Sequence, residues 1–304
     1  MALLPFVPQG PRLRALVVAV VCAVPATELV LQWKAHRLLR TDLVAAMDAL
    51  TSVDPRYGVT LNPSMDRTQV MSGRPVRFVT DAARRRTSGQ PLDPRRPSLV
   101  FAGESTVVGH GLEWDETFPA LLGARLGLQV VNVASMNYRL DQSWQRLADQ
   151  LSQLERPVAA VGFFLPGLLG REFAAGPHPV ARPRGSSVEI VPPEQPTFWR
   201  RSGFYRIFRH LYWSDADLSE GMASLSAVLR AMDGAARQRG IPMVFVVTGH
   251  TPQWMLDELF VKNGLDYVVV EIPREELLAD GHPNQQGARH IADALALRLQ
   301  HLLH

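Results

Sequence analysis

Five short apolar runs alternate with stretches of helical periodicity, and this alternation limits most tightly what the chain can fold into. The runs are Ser98 to Ala102, Gln129 to Ala134, Val158 to Phe164, Pro242 to Thr248 and Asp266 to Val270. Short, nearly continuous apolar runs are what strands covered on both faces require. Between them, Leu140, Trp144, Leu147, Leu151 and Leu154 recur at helical spacing, as do Leu218, Met222, Leu225, Leu229 and Met232, with Gly240 as a stop. Ile291, Leu295, Leu299 and Leu302 share one face of a last helix. The pattern predicts an α/β fold with a mainly parallel, doubly wound five-stranded sheet, whose functional crevice lies at the carboxyl ends of the strands.

The 304 residues, 46% of them hydrophobic, can bury a sizeable core, and one main domain with extensions is expected. The net charge is only +3, Lys34 and Lys262 are the only lysines, and no nucleic-acid-binding signature accompanies the arginines, so no nucleic-acid partner is expected. A single cysteine, Cys22, excludes an intramolecular disulfide and a cysteine-based zinc site.

Residues 1 to 40 are organised around an apolar stretch. Arg12 and Arg14 precede Ala15 to Ala26, Leu29, Val30, Leu31 and Trp33 continue the run, and Glu28 is its only charge. A retained membrane anchor fits the full length of the run. A secretory signal cleaved after Val24-Pro-Ala26, or a buried helix, are the alternatives. Either of the first two places the rest of the chain outside the cytoplasm, on the periplasmic or extracellular face.

Residues 41 to 96 read as a helical and extended linker. A helix is expected from residue 35 to residue 53, ended by Asp54-Pro55, and turn-rich extended pieces follow to Thr80, with Ser72-Gly73 as one breaker. Arg84-Arg-Arg86 and Arg95-Arg96 read as a solvated polar surface, with a lipid-headgroup or polyanion contact as the alternative. Within the main domain, residues 97 to 304, an insertion near 165 to 202 rich in proline reads as a lid, a binding loop or a locally disordered segment. The aromatic and arginine residues interleaved over 198 to 213 suit a membrane surface, a substrate groove or an amphipathic helix on the sheet.

The chemistry concentrates at two places. Phe101-Ala-Gly-Glu-Ser-Thr-Val-Val-Gly-His-Gly111 sets Ser105 where an apolar strand stops and glycines begin, and Asp280-Gly-His-Pro-Asn284 supplies an acid and an imidazole just before the last helix. A serine needs an adjacent base, and the base needs an orienting group. His282 alone among the nine histidines has this setting; His110, His178 and His250 read as surface or hydrogen-bonded residues, with His110 near enough to Ser105 to touch substrate.

These two blocks resemble those of the SGNH (GDSL-type) hydrolases. Gly103-Glu104-Ser105 stands where that family has Gly-Asp-Ser, Asp280-Gly-His282-Pro283 matches its last block, and Val131-Asn-Val-Ala134 resembles its second. The resemblance covers residues 97 to 304. It implies a flavodoxin-like three-layer sandwich and a serine esterase mechanism with Ser105 as nucleophile, His282 as base and Asp280 as orienting acid, needing no metal or organic cofactor. It also implies an oxyanion hole from the Ser105 backbone and from Asn137, which falls at the family's glycine position. The third block departs: Phe164-Leu-Pro166-Gly167 stands where relatives carry an asparagine donor. The expected activity is ester hydrolysis or deacylation of an acylated glycan or lipid. An acyl transferase, or a binding or assembly subunit with envelope protein partners, are the alternatives.

Overall fold

The computed structural model describes residues 10–38, 49–172, 180–184, 187–191, 202, 204–205 and 215–303. The chain divides into two compact units, Met1–Ala45 with Gln195–Trp213, and Ala46–Glu194 with Ser214–His304.

In the first unit, helix α1 (Pro11–Leu38) contains a 23-residue stretch, Pro11–Trp33, with mean hydropathy 2.1 and none of it buried. It is long and apolar enough to cross a membrane, and a signal sequence passes the same test. Glu28, the one charged residue between Ala15 and Trp33, accepts hydrogen bonds from the Gln32 amide at 2.6 Å and the Phe204 backbone N–H at 3.1 Å. Of the aromatic and arginine segment 198–213, only residues 202, 204 and 205 are described.

The second unit begins with two antiparallel hairpins, β1 (Thr51–Asp54) with β2 (Gly58–Leu61), and β3 (Asp66–Met71) with β4 (Arg74–Val79). The helix expected to reach residue 53 therefore stops before Thr51, where β-branched residues start a strand; residues 39–48 lie outside the description. Then follow β5 (Ser98–Ala102), α2 (Ser105–Val108), α3 (Phe118–Leu126), β6 (Gln129–Asn132), α4 (Leu140–Gln153), β7 (Pro157–Phe164) and α5 (Gly167–Glu172). A third hairpin, β8 (Val180–Arg184) with β9 (Ser187–Val191), precedes α6 (Asp215–Gln238), β10 (Met243–Thr248), α7 (Gln253–Leu256), β11 (Tyr267–Val270) and α8 (Gln285–Leu303).

The five core strands pair in parallel in the order β6-β5-β7-β10-β11, with Leu99 opposite Val130 and Ala159, and Phe245 opposite Gly162 and Tyr267. This is the flavodoxin-like order, whose direction reverses beside β5. Side chains alternate across the sheet: Val100 and Ala102 join Leu147, Leu151, Leu225 and Met232 on one face. Leu99 and Phe101 join Leu122, Ile291 and Leu295 on the other, together with Leu61, Val76 and Phe78 of the hairpins. The result is three layers, with α4 and α6 on one side of the sheet and α3 and α8 on the other.

Two local expectations are corrected. The insertion is no continuous loop, because α5 and the β8–β9 hairpin occupy it and Val188 packs against the core. A two-stranded ribbon tolerates Pro183 because each strand has a free edge. Arg95 and Arg96 are exposed, as expected, but Arg84 to Arg86 form no solvated surface. Arg86 is 1% exposed: its backbone bridges Thr80 and Asn132, its guanidinium lies 4.5 Å from the centroid of the Phe78 ring, and it donates to the carbonyls of Val108, Gly109 and Leu112. Arg84 and Arg85 are half-buried and paired with Asp54 and Asp81.

Candidate active site

Ser105 is placed by the turn that ends β5. A Cβ on Gly103 would lie 2.3 Å from Val107 Cγ2 and 3.2 Å from Phe163 Cβ, so only glycine lets the chain fold back this closely. Glu104 caps α2 by accepting from the Thr106 N–H at 2.9 Å, and Gly109, at φ +80°, closes the helix in the left-handed conformation. As the first residue of α2, Ser105 has a backbone N–H with no intrahelical acceptor.

His282 arrives from the segment between β11 and α8. Its Nε2 is 2.8 Å from Ser105 Oγ. Its Nδ1 is 3.1 Å from Asp280 Oδ1, in an oblique approach that is not an aligned hydrogen bond. The Asp280 carboxylate also accepts from the His282 backbone N–H at 3.2 Å and from the Ser72 hydroxyl. Partial burial raises the Asp280 pKa, but the Ser72 hydroxyl and the His282 backbone and ring outweigh it and hold it at about 2. The acid is therefore ionised throughout the neutral range.

The structure thus brings Ser105, His282 and Asp280 together. Asn137, the fourth residue singled out, has φ +57° and is exposed in the loop after β6. That loop runs alongside the turn that carries Ser105, with the Ser135 N–H donating to the Gly103 carbonyl at 3.3 Å. The left-handed backbone at this position is the conformation a glycine would take, which asparagine tolerates better than most residues.

Three further side chains belong to the site. His110 is 8% exposed; its Nε2 lies 3.1 Å from Asp280 Oδ2 and its ring sits 4.5 Å from the His282 ring, tilted by 36°. Burial first, then the neighbouring His282, push its pKa below the ordinary imidazole value, against a pull upward from Asp280. Ser72 comes from the two-residue turn of the β3–β4 hairpin, where Ser72 and Gly73 both have positive φ, as a type I′ turn requires. Glu104 is 3% exposed and its Oε2 accepts the Ser105 hydroxyl, so Ser105 Oγ stands between the Glu104 carboxylate and the His282 ring. The sequence marked Ser72-Gly73 only as a breaker, and nothing local to Ser72 points across 208 residues to Asp280. His178 lies outside the described residues, and His250 is exposed at a pocket rim.

That pocket, of about 430 Å³, opens beside Ser105 at the carboxyl ends of β7, β10 and β11. Phe163, Leu165, Val270, Ile272, Leu277 and Pro283 form its apolar wall, and Thr106 and Gly281 bring it next to Ser105 and His282.

Arg86 supports the site from below. Burial lowers its pKa to about 9, with Glu113 and Glu116 opposing, so it stays charged at neutral pH while its fork ties down the segment carrying His110. Arg86→Met leaves buried carbonyls unpaired, at about 1–3 kcal/mol each, partly offset by relief of the buried charge. A net loss of about 3 kcal/mol is expected, read as a lower denaturant midpoint with unchanged slope. An unchanged midpoint would refute this account of the loop.

No family model matches the chain, and no curated protein matches it. Solved structures similar to it include a G-D-S-L family protein from Desulfitobacterium hafniense DCB-2, at 15% identity and TM-score 0.42 over 66% of this chain and 98% of that one. An acetyl xylan esterase from Butyrivibrio proteoclasticus is similar at 11% identity and TM-score 0.43, over 70% of this chain and 65% of that one. A salicylyl-acyltransferase from a tetracycline biosynthetic pathway is similar at 13% identity and TM-score 0.41, over 70% and 56%. The likeness is one of fold. At these identities and TM-scores the chemistry has to be read from the site's own geometry.

Proposed function

We propose that the chain is a membrane-tethered serine esterase or deacylase of the cell envelope, cleaving an acyl ester of a glycan or lipid. The observation that carries this reading is the 2.8 Å approach of His282 Nε2 to Ser105 Oγ, with the Asp280 carboxylate at the other ring nitrogen. Ser105 Oγ attacks the ester carbonyl while its proton passes to Nε2. The tetrahedral intermediate collapses, the C–O bond to the alcohol breaks, and the imidazolium delivers that proton to the departing oxygen. Water then enters by the same steps in reverse roles and releases the acid and free Ser105. Asp280 holds the Nδ1–H tautomer and stabilises the imidazolium without itself taking the proton. The apolar pocket beside Ser105 receives the organic part of the ester. Helix α1 supplies the tether, and its placement in a signal or anchor position supports a domain outside the cytoplasm.

The oxyanion is held by the backbone N–H groups of Ser105 and Asn137. Pro166-Gly167 contributes no side-chain donor, and one lost donor costs about a hundred- to a thousandfold in turnover. Slow turnover is therefore expected. Because the donor at Asn137 is a backbone group in left-handed geometry, Asn137→Gly should keep kcat within a few-fold, whereas Asn137→Ala should lose about 1 kcal/mol of stability. A hundredfold fall in kcat for Asn137→Gly would assign the donor to the side chain instead.

The deciding experiment is labelling by a fluorophosphonate, followed by peptide mass spectrometry. The expected result is one adduct, on Ser105, lost in His282→Ala. The departed third block favours a second reading, a non-catalytic binding or assembly subunit of the envelope. That reading gains if Ser105 stays unlabelled and partner proteins co-purify. Acyl-enzyme whose turnover depends on an added sugar acceptor would instead identify a transferase.

A further inference from the structure

We propose that His110, Asp280 and His282 form a site for a single Zn²⁺ ion, and that the bound ion turns the catalytic base off. One donor atom from each of the three lies within 4.8 Å of the others. Two nitrogens approach the two oxygens of one carboxylate, each at 3.1 Å: His110 Nε2 to Asp280 Oδ2, and His282 Nδ1 to Asp280 Oδ1. Ligands held about 2.0–2.1 Å from a tetrahedral zinc lie roughly 3.4 Å from one another, so small side-chain shifts suffice.

Both nitrogens are buried atoms with no aligned hydrogen bond, and the His110 side chain is only 9% exposed. A buried imidazole nitrogen left without a proper partner carries a desolvation cost that a metal ion removes. The Asp280 and His282 side chains are 29% and 24% exposed, which gives an entry path and a solvent position for a fourth ligand. The Ser72 hydroxyl on Asp280 is the outer-shell partner that ligating carboxylates need.

The consequence for the base follows from the two faces of one ring. Zinc on Nδ1 leaves the neutral imidazole with its proton on Nε2, the nitrogen that faces Ser105. In that tautomer Nε2–H donates to Ser105 Oγ, and the serine hydroxyl donates to Glu104 Oε2, which already accepts it. Every proton is placed, but no lone pair remains to accept the serine proton. The carboxylate beside Ser105 thus makes the zinc-bound state a fully hydrogen-bonded one.

Binding does not depend on the proposed function; the inhibition rests on it. The test uses the full chain, metal-stripped, with Zn²⁺ alone titrated calorimetrically into Ser105→Ala, which keeps all three donors. One ion per chain with micromolar affinity is expected, weakened at least tenfold both by His110→Gln and by His282→Ala, each checked for unchanged thermal unfolding. Because the chain has nine histidines, the two variants assign the site. No binding at 100 µM Zn²⁺, or binding that either variant leaves as tight as in Ser105→Ala alone, overturns the proposal. In the wild type, ester hydrolysis should fall with Zn²⁺ over the same range and return on addition of EDTA; an active enzyme that binds zinc at this site without losing rate overturns the switch. If the wild type hydrolyses no ester while Ser105→Ala binds zinc with this ligand dependence, the site stands and the esterase reading falls.

Discussion

Ser105→Ala is expected to lower kcat/KM for p-nitrophenyl acetate by about a thousand- to ten-thousandfold, with the thermal unfolding midpoint within a degree or two of the wild type. The size follows from two opposing effects. In complete serine hydrolases, loss of the nucleophile or the base costs on the order of a millionfold, because the two act as a unit. Here the starting rate is already reduced by the missing third donor, worth about a hundred- to a thousandfold, so less remains to be lost. The hydroxyl fills no core space: Ser105 is 7% exposed, and its partners are the Glu104 carboxylate and the His282 ring. His282→Ala should cost about the same as Ser105→Ala, and the double variant little more than either, since each alone prevents formation of the acyl-enzyme. Parallel rates for wild type and Ser105→Ala, within tenfold, would mean that the serine marks a turn rather than a reaction centre.

Much of this arrangement was legible in the sequence, for a physical reason. Strands covered on both faces must be continuously apolar, so Ser98–Ala102 matches its expected bounds and the other four core strands begin and end within two residues of theirs. Ser105 and the Asp280–His282 pair, which the fold brings within reach of one another, could be singled out in the sequence because each sits beside glycines in a segment that follows a strand of the sheet. What stayed hidden depends on partners far away in sequence. Arg86 looks solvated because its neighbours are polar; its burial comes from carbonyls of the 108–112 segment, which only the fold brings within reach. Ser72 reads as half of a hairpin turn and becomes a ligand of Asp280 only when β3 and β4 pack beside the sheet. His110 was placed near substrate by its sequence distance from Ser105, whereas its observed partner is the acid.

Asp280 carries the second large effect. Asp280→Asn should leave Ser105 and the ring in place yet lower kcat by about a hundred- to a thousandfold, short of the loss for Ser105→Ala, because an amide in a serine triad stabilises the wrong tautomer. The amide NH₂ would donate toward Nδ1, moving the ring proton to Nε2 and presenting Ser105 with a donor in place of a base. The same substitution tests the electrostatics. The folded Asp280 pKa, about 2, lies below the unfolded value near 3.9, so the ionised carboxylate stabilises the fold fully above pH 4–5, and that stabilisation is lost as pH falls toward 2. The stability gap between wild type and Asp280→Asn should therefore be constant from pH 7 to 5 and close between pH 4 and 2, measured by urea unfolding at each pH. Ser72→Ala removes the hydroxyl that does most to hold the pKa down, so it should move that closing upward in pH while leaving kcat near pH 7 largely intact, because Asp280 stays ionised there. A gap that stays open at pH 2, or a Ser72→Ala profile superimposable on the wild type, would show that the carboxylate is held by something other than the Ser72 and His282 contacts.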